Sequence, residues 1–210
     1  MQVYLRTERL ALRRFTQADV ECLVDLDSDP EVMRYLNGGM PTPRAVVAQE
    51  ILPRFLRSYQ RRDGFGVWAA IEHTSSDFVG WFGFQPRGDT GAGEIELGYR
   101  LRRAVWGNGY ATEGARALIH KGFEELGARR VFATAYQDNV ASRRVMEKCG
   151  LRLASTFRLT PADLVAQAGT FIPGQDLWDG DDVEYELSRA DWERQAAPGD
   201  ERSQGDAGLC

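Results

Sequence analysis

Cysteine and histidine are scarce in this chain, and the scarcity narrows its chemistry before anything else does. Three cysteines (Cys22, Cys149 and Cys210) and two histidines (His73 and His120) are spread over 210 residues. Cysteines odd in number and widely spaced form no disulfide framework and suit a reducing, cytoplasmic setting. No Cys/His/Asp cluster has metal-ligand spacing, so no metal is expected. No apolar run approaches the ~20 residues a membrane span requires. The start, Met1-Gln2-Val3-Tyr4-Leu5-Arg6, lacks a basic stretch followed by an apolar one, so no signal peptide is expected. There is no Gly-x-x-x-x-Gly-Lys-Ser/Thr run, which removes the lysine and the Mg²⁺-binding hydroxyl of a P-loop. There is no Gly-x-Gly-x-x-Gly either, because Thr112 stands where the third glycine would be. An excess of cations is also missing. With 26 Lys and Arg against 31 Asp and Glu, the net charge of −5 argues against a nucleic-acid partner and mildly favours cationic ones such as amines. No internal repeat is found.

What is present begins with Trp106-Gly107-Asn108-Gly109-Tyr110-Ala111-Thr112-Glu113. Before it, Ile95-Glu96-Leu97-Gly98-Tyr99-Arg100-Leu101 alternates as a strand does. After it, Ala111, Ala115, Leu118, Ile119, Gly122 and Leu126 form one helical stripe, with Glu113, Arg116, His120 and Glu124 expected opposite. A strand, a glycine turn and a helix start in that order expose several backbone N–H groups in one concave turn. They also aim the positive end of a helix outward, an arrangement that phosphate oxygens bind. Gly107 and Gly109 permit backbone angles and a close approach that a Cβ would block, and Thr112 is a candidate hydroxyl donor. The same pattern also makes a plain, well-formed helix start.

A second constellation follows. Val131–Tyr136 reads as a buried strand and leads into Asp138-Asn139-Val140-Ala141-Ser142-Arg143-Arg144-Val145-Met146-Glu147-Lys148-Cys149-Gly150. Asn139 sits where an N-cap belongs and Gly150 where a C′ residue belongs. Ser142 shares a stripe with Val145, Met146 and Cys149, so its hydroxyl is expected to face inward.

The rest of the chain maps onto one α/β domain with a sizeable core. Arg9–Phe15 reads as a strand, and Thr16 as the cap of a helix of about ten residues from Gln17. Asp29-Pro30 opens a short helix that closes near Asn37-Gly38-Gly39. A third helix, kinked at Pro53, runs to Arg62. Phe65–Glu72 and Phe78–Phe84 are neighbouring strands, the 88–93 segment is a hairpin loop, and later strands lie near Leu151–Phe157 and Val183–Leu187. Leu159–Asp182 is longer than a tight hairpin requires, and loops of that length are often functional. The domain is expected to span 1–194, with a small, polar, disordered tail over 195–210.

Taken together, these residues resemble the acyl-CoA-binding core of the GNAT N-acetyltransferase superfamily, and within it the RimJ/RimL-like branch. The family's first motif, Arg/Gln-x-x-Gly-x-Gly/Ala, is met at Gly109 and Ala111, with Trp106 in the Arg/Gln place. Its Asn-x-x-Ser motif and Glu-Lys-x-Gly-Phe-like ending are met at Asn139, Ser142, Glu147, Lys148 and Gly150, with Leu151 in the aromatic place. The opening Leu5–Arg13 and the strand Ile95–Tyr99 look like the same branch, and the likeness runs over roughly residues 3–192.

The resemblance implies a mixed central sheet of about seven strands with helices on both faces, splayed at the acyl-CoA site. Acetyl-CoA is the implied cosubstrate. Its pantetheine would pair with the Tyr99-Arg100-Leu101 backbone, its pyrophosphate would rest on Trp106–Thr112 (Gly107, Asn108, Gly109, Tyr110 and Ala111 between them), and Asn139 would bond the pantetheine arm. Ser142 would protonate or orient the leaving thiol, with Tyr136 as its rival. The general base stays open among Glu96, Glu184 and Asp138. Glu96 is preferred because it lies on one face of its strand with Glu94 and Gly98, a few residues before the cofactor-pairing stretch. The acceptor is a primary amine: a protein N-terminus, an aminoglycoside or a small metabolite, received by an insertion that carries Phe171, Asp176, Trp178, Asp179, Asp181 and Asp182. The resemblance also allows a homodimer. Two other readings stay open, a non-catalytic acyl-CoA-binding protein and a purely structural interaction domain.

Overall fold

The computed structural model describes residues 2–87, 93–158, 160 and 180–196. Among them, eight strands form one sheet in the order β1-β2-β3-β4-β5-β6-β8-β7. The strands are β1 (Val3–Arg6), β2 (Leu10–Arg14), β3 (Gly66–Glu72), β4 (Phe78–Pro86), β5 (Glu94–Leu101), β6 (Arg130–Tyr136), β7 (Arg152–Phe157) and β8 (Asp182–Ser188). The sheet has one strand more than the seven expected. The addition is β1, which pairs antiparallel with β2 across the short turn around Thr7 and Glu8. Neighbouring strands are antiparallel throughout except at β5 and β6.

That single parallel junction shapes the site. β5 pairs with β6 at Glu94↔Arg130, Ile95↔Val131 and Glu96↔Phe132. Beyond Glu96, β5 stays with β4 as far as Leu101↔Gly80, while β6 stays with β8 as far as Tyr136↔Asp182. The two strands therefore part after Glu96 and Phe132, and the sheet opens into a V. Each arm of the V is held by its outer neighbour, so the inner edges keep backbone donors and acceptors that no strand takes up.

Helices cover both faces. On one lie α1 (Val20–Leu26), α2 (Pro30–Asn37) and a long helix assembled from α3 (Arg44–Val46), a wide π turn (Val47–Ile51) and α4 (Leu52–Arg61). Thr16 and Asp19 form the capping box ahead of α1, and the Asp29 side chain accepts from the Glu31 N–H at 2.9 Å to start α2. The π turn sits immediately before Pro53, which has no N–H to give Gln49, so the expected kink appears as a widened turn. Phe15, Leu26, Met33, Leu52, Phe55 and Trp81 fill this side.

The other face carries α5 (Tyr110–Glu124), α6 (Val140–Lys148) and α7 (Arg189–Ala196). They bury Phe82, Phe84, Ile95, Leu97, Leu118 and Phe123 between helix and sheet. Cys149 belongs to this core, as its stripe predicts. Two expectations need correction here. Gln195 is not in the tail: it lies in α7, where its side chain donates to the Gly150 carbonyl at 3.2 Å. Glu113 is not on a solvent face either, because its carboxylate is engaged by the turn between β1 and β2. The remainder of the expected tail, the 88–92 loop, and Phe171, Asp176, Trp178 and Asp179 of the insertion lie outside the described residues. Among the described residues, no helix is long and apolar enough to cross a membrane, and no cluster of His, Cys, Asp and Glu could hold a metal.

Candidate active site

The turn between β5 and α5 follows the β5 arm of the V. Gly107 and Gly109 take φ of +79° and +83°, in the left-handed region that costs a Cβ-bearing residue energy. Gly109 is the N-cap of α5 and no side chain caps that helix start, so the first N–H groups, at Tyr110, Ala111 and Thr112, have no intrahelical partner. A Cβ on Gly107 would meet nothing within 4 Å. The space at Gly107 is open, whereas a Cβ at Gly109 would meet Arg9 Nη2 at 3.4 Å.

Side chains around the turn hold its shape rather than fill it. The Trp106 indole N–H donates to the Leu101 carbonyl at 2.8 Å, tying the turn to the end of β5. The Tyr110 phenol donates to Glu72 at the end of β3. Glu113, one turn into α5, accepts from Thr7 Oγ1 at 2.6 Å, from the Arg9 backbone N–H at 2.8 Å and from Arg9 Nε at 2.6 Å. Burial alone would raise the Glu113 pKa, but these bonds outweigh it and hold the carboxyl below its ordinary range.

On the α5 and α6 side of the sheet, Ser142 and Tyr99 meet. The Asn139 side chain caps α6 by accepting from the Ser142 N–H at 3.1 Å. The Ser142 hydroxyl lies 3.0 Å from the Tyr99 phenol, which also donates to the Ser142 carbonyl at 3.1 Å. Burial pushes the Tyr99 phenol well above its ordinary pKa, partly offset by the bond to Ser142. Tyr99 thus keeps its proton across the physiological range. Sequence reasoning assigned only the Tyr99 backbone to the site; the alternation that turns its side chain toward α6 was legible, but its partner on α6 was not.

The opposite side holds the carboxylates. Glu96, at the fork of the V, is partly buried and has its pKa raised by burial, an effect opposed by Arg87 and reinforced by Glu184. Its rival Glu184 is differently placed: Arg87 donates to one oxygen at 2.6 Å and Arg130 donates to the other. Both arginines lie over the Phe132 ring, Arg87 at 3.8 Å from its centroid and Arg130 at 5.1 Å. Asp138 is exposed in the turn before α6. At the mouth of the V, Tyr136 stacks on Tyr35 of α2 with ring centroids 5.9 Å apart. Asp182, opposite Tyr136, has its pKa raised to about 6 by burial and by neighbouring Asp181. The Arg100 side chain forms a buried ion pair with Asp27 at 2.6 Å.

The sequence profile of the acetyltransferase (GNAT) domain matches residues 9–152. A protein of Aspergillus fumigatus (strain ATCC MYA-4609 / CBS 101355 / FGSC A1100 / Af293), FsC-acetyl coenzyme A-N(2)-transacetylase, is 33% identical over 208 residues, covering 96% of this chain and 83% of the relative. Among solved structures, an acetyltransferase (GNAT family) from Bacillus anthracis superposes with a TM-score of 0.68 at 26% identity, covering 89% of this chain and 98% of that one. RimL, a ribosomal alpha-N-protein acetyltransferase solved with coenzyme A, shares the fold with a TM-score of 0.66 at 18% identity, over 89% of this chain and 98% of its own.

Proposed function

Because the chain belongs to the GNAT acetyltransferase family, we propose that it moves the acetyl group of acetyl-CoA to a primary amine by direct attack of the amine on the thioester. The observation that carries this reading is the V between β5 and β6, with an uncapped helix start and two left-handed glycines following its β5 arm. The residues fit acetyl-CoA. The inner edge of β5 along Tyr99, Arg100 and Leu101 suits a pantetheine amide chain added like a strand. The N–H groups of the 107–112 turn suit a pyrophosphate, and the Asn139 amide lies at the start of α6 beside the same opening. The thioester supplies an activated acetyl group.

This chain's residues then divide the proton work between the two faces of the sheet. A free α-amine titrates near ~8, so an acceptor must lose a proton before or during attack. Glu96, with a raised pKa, is the proposed acceptor of that proton, directly or through a water. A backbone N–H on the inner edge of β5 near Tyr99–Leu101 faces the developing oxyanion. On the other face, the Ser142 hydroxyl orients the departing sulfur or gives it a proton; Tyr136, on the Glu96 side of the opening, is the alternative donor.

For the acceptor, the A. fumigatus relative, similar over nearly the whole chain, favours a small-molecule amine, since its name places acetylation on a nitrogen of FsC. A protein N-terminus, the RimJ/RimL-like reading, is the second choice and rests on likeness of fold to RimL. The acidic chain and the Asp181–Asp182 pair at the mouth suit a cation in either case. A cytoplasmic setting accords with Cys22 and Cys149, both free thiols. The domain is proposed to end with α7. The test is thiol release from acetyl-CoA against a panel of small amines and peptides. Release that depends on an amine supports transfer and ranks the acceptor classes. Tight acetyl-CoA binding with no amine-dependent release would instead favour a non-catalytic acyl-CoA-binding protein.

A further inference from the structure

The turn from Trp106 to Thr112 contains no cationic side chain, although it is the proposed seat of a doubly charged pyrophosphate. A cation arrives from a distant part of the chain. Arg9, at the end of the turn between β1 and β2, places its guanidinium over the Tyr110 ring, 4.5 Å from the centroid. Its Nη1 donates to the Asn108 carbonyl at 2.8 Å, between the two left-handed glycines. Its Nε and Nη2 each lie 2.6 Å from Glu113 Oε2. Nη2 is also the atom nearest to where a Gly109 Cβ would stand, at 3.4 Å. One planar group therefore spans the glycine turn, the N-cap and the first turn of α5.

Two physical consequences follow. An uncompensated Glu113 carboxylate one turn into α5 would oppose an anion at the helix start, and Arg9 cancels that charge at contact distance. A guanidinium has five N–H donors; three are engaged in these contacts and two remain. The side chain is 40% exposed.

We infer that Arg9 is a positioning residue for the acyl donor: it fixes the Gly107–Gly109 turn in its anion-binding shape and neutralises the Glu113 carboxylate that would otherwise repel an anion there. The inference rests on the acetyl-CoA reading and goes beyond it. It makes the turn between β1 and β2 part of the donor site, selective for the pyrophosphate half of the molecule. Lysine cannot replace this function, because a single ammonium does not reach Glu113 and Asn108 together in a planar fork.

The test compares wild type, Arg9→Ala and Arg9→Lys with two donors, acetyl-CoA and S-acetylpantetheine, which lacks the pyrophosphate. Losing a charge-assisted contact of this kind corresponds to roughly 10–100-fold in affinity. Both variants are expected to raise KM for acetyl-CoA by that factor with kcat nearly unchanged, while kcat/KM for S-acetylpantetheine stays at the wild-type value. Calorimetric titration with coenzyme A should show the same loss, and thermal unfolding should show that the variants remain folded. Unchanged affinity for coenzyme A in Arg9→Ala overturns the inference. An equal loss with both donors overturns it too, since that marks general damage to the site. If the wild-type protein binds no coenzyme A, the acetyl-CoA reading itself falls, a result separable from failure of Arg9 alone.

Discussion

At the scale of single residues, the proposed proton handling is divided between Glu96 and Ser142, which lie on opposite faces of the sheet. The Glu96 pKa is raised in the fold. The folded state therefore binds that proton more tightly than the unfolded chain, and the charged form costs stability as pH rises through the raised value. If Glu96 is the base, kcat/KM with an amine should fall on the acid side of that value, and Glu96→Gln should remove this acid limb. The same variant should be at least as stable as the parent above the raised pKa, because there it deletes a partly buried charge. A parent-like pH–rate profile in Glu96→Gln would move the base elsewhere. For Ser142, loss of an acid–base group predicts a fall in kcat of ~10²–10⁴-fold in Ser142→Ala, with little change in affinity for acetyl-CoA. Turnover within twofold of the parent would leave Ser142 a packing residue and direct attention to Tyr136.

At the scale of elements, α5 must lie flush on the sheet for its first turn to meet the V. Two glycines on its buried stripe make this possible: a Cβ at Gly114 would overlap the Phe82 ring, and one at Gly122 would overlap Phe84. Overpacking of this kind costs about 1–3 kcal/mol. Gly114→Val is expected to lower stability in urea unfolding by that amount and to weaken coenzyme A binding, because lifting the helix displaces the N–H groups at its start. An equally stable Gly114→Val protein with full affinity would show that α5 can shift without consequence for the site.

At the scale of the whole molecule, the V is a sheet missing a strand. A ligand that pairs with the inner edge of β5 and fills the gap binds the folded state alone, so it must stabilise the fold by mass action. At a free concentration a hundred times Kd, the gain is about 2.7 kcal/mol. That corresponds to an upward shift in Tm of several degrees for a protein of this size. Saturating acetyl-CoA should produce this shift in differential scanning calorimetry, and S-acetylpantetheine should produce a smaller one at the same concentration. No shift at saturation would remove the V as the donor site.

Sequence by itself determined most of the elements and the glycine turn before α5, because those signals are local. The caps at Thr16, Asp29 and Asn139, the glycines at 107 and 109, and the alternation of Glu94–Leu101 each act within a few residues of chain. The fold class followed from the family likeness these local patterns carry. What required tertiary structure was every relation between distant segments. Strand β1 and the anchoring of Glu113 depend on Thr7 and Arg9, about a hundred residues away in the chain from α5. The meeting of Tyr99 with Ser142, and the two-arginine grip that sets Glu184 apart from Glu96, depend on which strands adjoin and where β5 leaves β6. A side chain's own periodicity fixes which way it points, but its electrostatic partner is chosen by packing, and packing is a property of the assembled sheet.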